Sequence, residues 1–144
     1  MDGQSTIDIL SIDIDGVDYW VLSNLEILRP RVLVVEYNAV FGPKRALTVP
    51  YDPKFYRHDY HPSGLYFGAS LMALQKLVAK KGYRLIAGDS SGTNAFFLDA
   101  SVDAPGLPTR TPEQCWRPMK YVTDRGHEVD GCFAAIAHLP FVEV

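Results

Sequence analysis

One stretch near the start of the chain, IDILSIDIDGVDY at residues 7–19, constrains the fold most strongly. Side chains of a β-strand alternate between two faces, and here Leu10, Ile12 and Ile14 share one face. The other face becomes polar toward its carboxyl end, where it carries Asp13 and Asp15. Gly16 and a helical pattern follow directly. This order of features is typical of open α/β sheets, which bind ligands beyond the carboxyl ends of their strands.

A second strand is predicted at Arg31–Asn38, whose sequence RVLVVEYN is rich in β-branched residues. Between the two strands, apolar residues recur at helical spacing from Val17 to Leu28, and Pro30 is expected to end this helix. The connecting segment is long enough for the helical crossover that parallel strands require. The sequence therefore predicts a βαβ unit, right-handed by the general rule for such crossovers.

Parallel strands end at the same edge of a sheet, so we expect Asp13 and Asp15 to lie near Glu36 and Asn38. Asp18 follows in the first turn of the helix. Neighbouring carboxylates repel one another, and they persist where a cation, a proton or a positively charged ligand offsets them. Mg²⁺ or Ca²⁺ is one possibility, although the spacing is not that of an EF-hand loop and no metal ligands are assigned. The structural alternative is that Asp15 and Asp18 cap the helix while Glu36 pairs with an arginine.

The segment 39–68 carries several prolines, many aromatic residues and little apolar periodicity. Loops of this length in compact domains often cover binding sites, so we expect residues 51–66 to form a lid over the acidic edge. His58 and His61 form an HxxH pattern within it. We interpret these two as surface histidines rather than as a metal site.

The second half of the chain predicts a helix from Ala69, followed by an antiparallel hairpin of strands at 83–88 and 94–100. Beyond it the sequence is rich in proline, and regular structure is hard to assign. Its large aromatic side chains are costly to leave in water. We therefore expect a C-terminal extension, residues 101–144, that packs on an α/β core formed by residues 1–100.

Composition excludes several classes of protein. The formal net charge of −3 argues against nucleic-acid binding, which usually needs a basic surface. No apolar run is long enough to cross a bilayer, and the polar N-terminus MDGQST is unlike a secretory leader, so we expect a cytoplasmic protein. Cys115 and Cys132 do not have metal-type spacing, and we expect them to be ordinary thiols.

Several motifs, in order along the chain, resemble those of FkbM-like S-adenosylmethionine-dependent methyltransferases: SIDIDGVDYW, PRVLVVEYN, YFGASLMAL, KKGYRL and GTNAFF. The resemblance is to the C-terminal half of these enzymes, in the branch that carries DxDGxDYW and EYN, and covers roughly residues 7–100. It implies a partial, Rossmann-like class I methyltransferase sheet in a three-layer α/β fold. Residues 7–15 would be its fourth strand and residues 31–38 its fifth, followed by the closing antiparallel pair.

The same resemblance implies methyl transfer from S-adenosylmethionine to an oxygen or nitrogen of a small-molecule acceptor. Asp15 would act as general base or orient the acceptor. Glu36 and Asn38 would position the acceptor, or would share a divalent cation with Asp15 that lowers the pKa of the acceptor. Asp13 and Asp18 would contribute to cofactor binding.

The sequence also departs from the family pattern, because it lacks the initial strand and glycine-rich turn that hold the cofactor. We therefore expect the chain to be incomplete alone. The outer edge of the strand at 7–15 would be unpaired, and we expect it to pair with a second copy or with a separate N-terminal half. The alternative is a catalytically inactive relative that serves as a binding or assembly module. A metal-dependent hydrolase built on the acidic edge is a third possibility.

Overall fold

A computed structural model describes residues 5–144 of the protein, so most of the N-terminal MDGQST lies outside the described residues. The strands are, in chain order, β1 (Ser5–Ile12), β2 (Leu28–Glu36), β3 (Leu47–Thr48), β4 (Tyr83–Gly88), β5 (Asn94–Asp99) and β6 (Val142–Glu143). The helices are α1 (Asp18–Ser23), α2 (Arg57–Tyr60), α3 (Leu71–Lys80), α4 (Pro112–Cys115), α5 (Lys120–Thr123) and α6 (Val129–Ile136). Among residues 5–144, no helix has the length and apolar character that a membrane crossing requires.

Four of the strands form one mixed sheet in the spatial order β1-β2-β5-β4. β1 and β2 are parallel, with Ile12 opposite Val35. β5 is antiparallel to both of its neighbours, β2 and β4. The predicted parallel pair and the predicted hairpin are therefore confirmed, and the protein belongs to the α/β class.

β1 is shorter than predicted, because it ends at Ile12 rather than at Asp15. Asp15 has a φ of 55°, in the left-handed region, which an extended strand cannot contain. The backbone amides of Ile14 and Gly16 donate to the side chain of Asp18 rather than to a neighbouring strand. Asp13 and Asp15 consequently lie in a turn beyond the sheet.

The helix after this turn is also shorter than predicted, because α1 ends at Ser23 and Leu28 already belongs to β2. The Ser23 hydroxyl and the Asn24 amide both donate to the carbonyl of Trp20, 2.9 and 2.8 Å away, which closes the last turn. Pro30 therefore lies inside β2, where it faces β1. The pairing of β2 with β5 starts only at Val32, two residues after Pro30. The missing N–H of Pro30 therefore costs no hydrogen bond to β5.

The predicted helix after Ala69 is confirmed as α3. The Ser70 hydroxyl accepts from the amide of Ala73, 3.1 Å away, and so caps the helix at its first turn. Gly82 follows the helix with a φ of 84°, a conformation that favours glycine at this position. The buried face of α3 contains Leu71, Ala73, Leu74 and Val78.

The C-terminal part of the chain contributes to the same hydrophobic core as the sheet. Met119, Val122 and Ile136 are buried within the core that also contains Leu33 and Phe97. β6 pairs with β3 in a small second sheet. Residues 101–144 thus pack on the core, and β6 connects them to the segment 39–68 through β3.

Candidate functional site

Three carboxylates meet beyond the carboxyl ends of the two parallel strands. Asp13 and Asp15 follow β1, and Glu36 is the last residue of β2. Ile12 lies opposite Val35, and the side chains of the residues that follow them, Asp13 and Glu36, form a hydrogen bond. One oxygen of each carboxylate lies within 4.8 Å of the others. We call Asp13, Asp15 and Glu36 the carboxylate cluster. The sequence prediction that these three side chains converge is confirmed.

Asp18 lies beneath the cluster and has a structural role. Its side chain is fully buried, and its two oxygens accept hydrogen bonds from the amides of Ile14, at 2.9 Å, and Gly16, at 3.0 Å. Burial raises the pKa of Asp18, and the two backbone hydrogen bonds oppose this effect. Since its oxygens already hold the turn together, we no longer assign Asp18 to cofactor binding.

Gly16 shows why this turn is so restricted. A Cβ atom at Gly16 would lie 2.7 Å from the ring of Phe55, and the carbonyl of Gly16 accepts a 2.7 Å hydrogen bond from the amide of Gly68. The turn that carries Asp13 and Asp15 is thereby packed tightly against the segment 39–68. The turn is therefore held at the sheet edge by the hydrogen bonds to Asp18 and by the packing of Gly16 against Phe55 and Gly68.

Asp15 is exposed, and it forms an ion pair with Arg57 of α2, with 2.9 Å between Arg57 Nη1 and Asp15 Oδ1. The guanidinium of Arg57 also lies over the ring of Phe67, 5.2 Å from its centroid. Part of the segment predicted as a lid thus reaches the acidic edge. Sequence reasoning did not single out Arg57, because no local pattern relates it to a partner 42 positions away.

Glu36 is the buried member of the cluster, with only 7% of its surface exposed. Its Oε2 atom is buried and receives no hydrogen bond from any residue in the described range. Burial, followed by the charges of Asp13, Asp18 and Asp15, raises the pKa of Glu36 to about 9. A hydrogen bond with Asp13 raises it further by favouring the protonated form. In the absence of another positive charge, Glu36 therefore holds a proton at neutral pH.

Asn38 does not join the cluster. β2 ends at Glu36, and the fully buried Asn38 turns into the protein, where its Nδ2 donates to the carbonyls of Leu65 and Phe67 at 2.8 and 2.9 Å. Its Oδ1 accepts from the amide of Val40 at 3.0 Å. These bonds engage its whole amide group, so we no longer assign Asn38 to acceptor binding. It holds the segment 65–67, which lines the cavity beside the cluster.

Glu36 and Arg57 open on a cavity of about 250 Å³. A second cavity, of about 400 Å³, shares Ser63, Leu65 and Tyr121 with the first and extends to Cys132 on α6. The two together form a groove that leads from the carboxylate cluster to the C-terminal helices. Sequence reasoning missed these C-terminal residues, because α5 and α6 reach the site only through tertiary packing.

The two histidines of the HxxH pattern do not form a metal site with the cluster. The His58 ring packs against Gly64, where an added Cβ would come within 2.4 Å of it. His61 Nδ1 lies 2.8 Å from the Ser63 hydroxyl. Within residues 5–144, the carboxylate cluster is the one group of three or more His, Cys, Asp or Glu side chains close enough to share an ion.

No protein-family model, curated protein or solved structure matches the chain. What the chain does is therefore inferred from the carboxylate cluster, its cavity and the motifs that form them.

Proposed function

We propose that this chain is the acceptor-binding part of an S-adenosylmethionine-dependent methyltransferase that acts on an oxygen or nitrogen atom. One observation carries the proposal. The carboxylate cluster lies at the carboxyl ends of two parallel strands and opens on a cavity, which is where open α/β sheets bind ligands. Its members come from DxDG and EYN, the motifs that resemble those of FkbM-like enzymes.

The strand order supports the same proposal. The hairpin β4–β5 covers the β2 side of the parallel pair, and within residues 5–144 nothing pairs with the other edge of β1. In the fold implied by the resemblance, β1 corresponds to the fourth strand, which has the first strand of the cofactor-binding half beside it. Ile9 of β1 is 64% exposed, which is costly for a large apolar side chain in water. We therefore assign the β1 edge to pairing with that half.

Two residues of the carboxylate cluster, Asp15 and Glu36, have different roles in the proposed reaction. Asp15, held by Arg57 at the mouth of the site, is placed to orient a hydroxyl or amine of the acceptor. Glu36 holds a proton at neutral pH, so it is placed to donate a hydrogen bond to the acceptor. The exposed Asp15 is placed to remove the proton from the reacting hydroxyl or amine as general base. Methyl transfer depends on alignment of donor and acceptor, which the packed turn around Gly16 would preserve.

The test measures cofactor binding and then transfer. The chain is titrated calorimetrically with S-adenosylmethionine and with its demethylated product, alone and after addition of a cofactor-binding half from an FkbM-like enzyme. We expect binding only with that half present, and methylation of a hydroxylated or aminated acceptor that is lost in Asp15→Asn. Asp59→Asn, which removes an exposed charge on α2, is the matched control. Absence of binding under both conditions contradicts the proposal.

The alternative is a catalytically inactive module that binds or assembles through the β1 edge. The unpaired edge and the exposed Ile9 favour it, because such strands readily pair with another chain. This alternative predicts self-association without any response to S-adenosylmethionine. The calorimetric titration therefore separates the two functions.

A further inference from the structure

We propose that Asp13, Asp15 and Glu36 together bind one hard divalent cation, of the class that includes Ca²⁺, Mg²⁺ and Mn²⁺. The proposal concerns binding alone and does not rest on methyl transfer. Its ligands would come from the turn after β1 and from the end of β2, two places that the parallel pairing holds side by side.

The distances within the cluster suit such an ion. The three ligand oxygens lie within 4.8 Å of one another. A cation equidistant from three oxygens at that upper limit would lie about 2.8 Å from each, so a closure of the cluster by a few tenths of an ångström reaches the usual Ca²⁺–oxygen distance of roughly 2.3–2.6 Å. Mg²⁺ prefers bonds of about 2.0–2.1 Å and would draw the oxygens closer still. The exposed turn that carries Asp13 and Asp15 leaves the remaining coordination positions to water.

A second, independent observation points to a ligand at this place. Glu36 is more than nine-tenths buried, it lines the cavity beside the cluster, and its Oε2 has no hydrogen-bond donor among the described residues. Buried polar atoms in native proteins almost always have a partner, and exceptions call for an unseen water or ion. The neighbouring side chains of the cluster are those of Asp13 and Asp15. Ionised carboxylates only accept hydrogen bonds, so neither of them supplies the Oε2 atom with a donor.

The balance of charge points in the same direction. The cluster and the buried Asp18 together place four carboxyl groups at one end of the sheet. Within residues 5–144, Arg57 is the cation that forms an ion pair with the cluster, and it contacts Asp15. A carboxylate has two oxygens, so Asp15 can bind a metal ion while it keeps its bond to Arg57. Asp13 and Glu36 have no such partner, and a divalent ion would neutralise both.

The competing occupant is a proton shared between Glu36 and Asp13. A shared proton would relieve the same repulsion between the carboxylates. The protein would then show no binding of divalent cations and no change in melting temperature when they are added. Metal binding by the intact chain therefore distinguishes the two.

The experiment uses the full chain after treatment with EDTA and its removal. Ca²⁺, Mg²⁺ and Mn²⁺ are each titrated by calorimetry, and bound Mn²⁺ is counted by electron paramagnetic resonance. We expect one cation per chain and a melting temperature that rises with cation concentration, because the ion binds the folded state. Glu36→Gln and Asp13→Asn should each weaken binding by at least about tenfold, since affinity follows the number of charged ligands. Asp59→Asn should bind as the unmodified protein does.

Glu36→Gln replaces a buried protonated carboxyl with a neutral amide of the same shape. The variant is therefore expected to fold, and its circular dichroism spectrum checks this directly. Two results would overturn the proposal. One is the absence of saturable binding for all three cations at millimolar concentration. The other is binding that persists undiminished in both Glu36→Gln and Asp13→Asn, because the ion would then lie elsewhere. Neither result depends on a methyl donor. If cation binding is not observed, the proposed methyl transfer is still tested separately by the titration with S-adenosylmethionine.

Discussion

Replacing Glu36 with Gln should make the protein less sensitive to pH. In the folded protein, burial and the neighbouring carboxylates raise the pKa of Glu36 to about 9 from its usual value of 4.5. Between these two pH values the folded state binds a proton that the unfolded state has lost. The unfolded state therefore binds fewer protons, and the free energy of unfolding decreases as pH rises through this window. Gln has the same shape as Glu and cannot ionise. The free energy of unfolding of the variant therefore does not decrease with pH for this reason.

The size of the effect follows from the pKa shift. Each pH unit within the window is worth about 1.4 kcal/mol for a single group. From about pH 6 to about pH 8, the stability of Glu36→Gln relative to the unmodified protein should increase by roughly 3 kcal/mol. Domains of this kind are stabilised by only about 5–15 kcal/mol, so the change is readily measured.

Urea unfolding followed by circular dichroism provides the measurement, at several pH values across the window. EDTA is present throughout, so that no divalent cation neutralises Glu36. All other titratable groups occur in both proteins, and their contributions largely cancel in the difference. Glu113→Gln, at an exposed position of α4, is the matched control and should show a flat difference. A difference for Glu36→Gln that is equally flat, or that decreases with pH, would refute the reasoning.

Three further predictions concern the supports of the site. Asp18→Ala leaves the half-buried amide of Ile14 and the buried amide of Gly16 without an acceptor, and should lower the free energy of unfolding by about 3 kcal/mol. A loss no greater than that of Asp8→Ala, at an exposed position, would contradict this role. Asn38→Ala removes three buried hydrogen bonds and should accelerate hydrogen exchange in the segment 65–67; unchanged exchange there would show that other contacts hold the segment. Ile9→Lys places a charge on the β1 edge and should reduce self-association in native mass spectrometry, whereas an unchanged distribution of oligomers would exclude this edge as the interface.

Local patterns in the sequence were sufficient for the main elements and for the core of the site. The β-branched run at 31–38 and the apolar stripe of α3 each depend on residues close together in the chain. The meeting of Asp13 and Glu36 follows from one additional rule, that parallel strands end at the same sheet edge. These features were predictable because short-range periodicity and a single pairing rule specify them.

The tertiary structure alone decided which acidic and amide side chains remain free to contact a ligand. Asp18 and Asn38 have the same polar character as their neighbours in the sequence, yet burial and internal hydrogen bonds engage them fully. Asn38 finds its partners 27 and 29 positions away, and Asp15 finds Arg57 at a separation of 42. No pattern of neighbouring residues encodes contacts over such distances, because they arise only when segment 39–68 folds back onto the sheet. The sequence determined where the carboxylates gather, and the packing of distant segments determined which of them face the cavity.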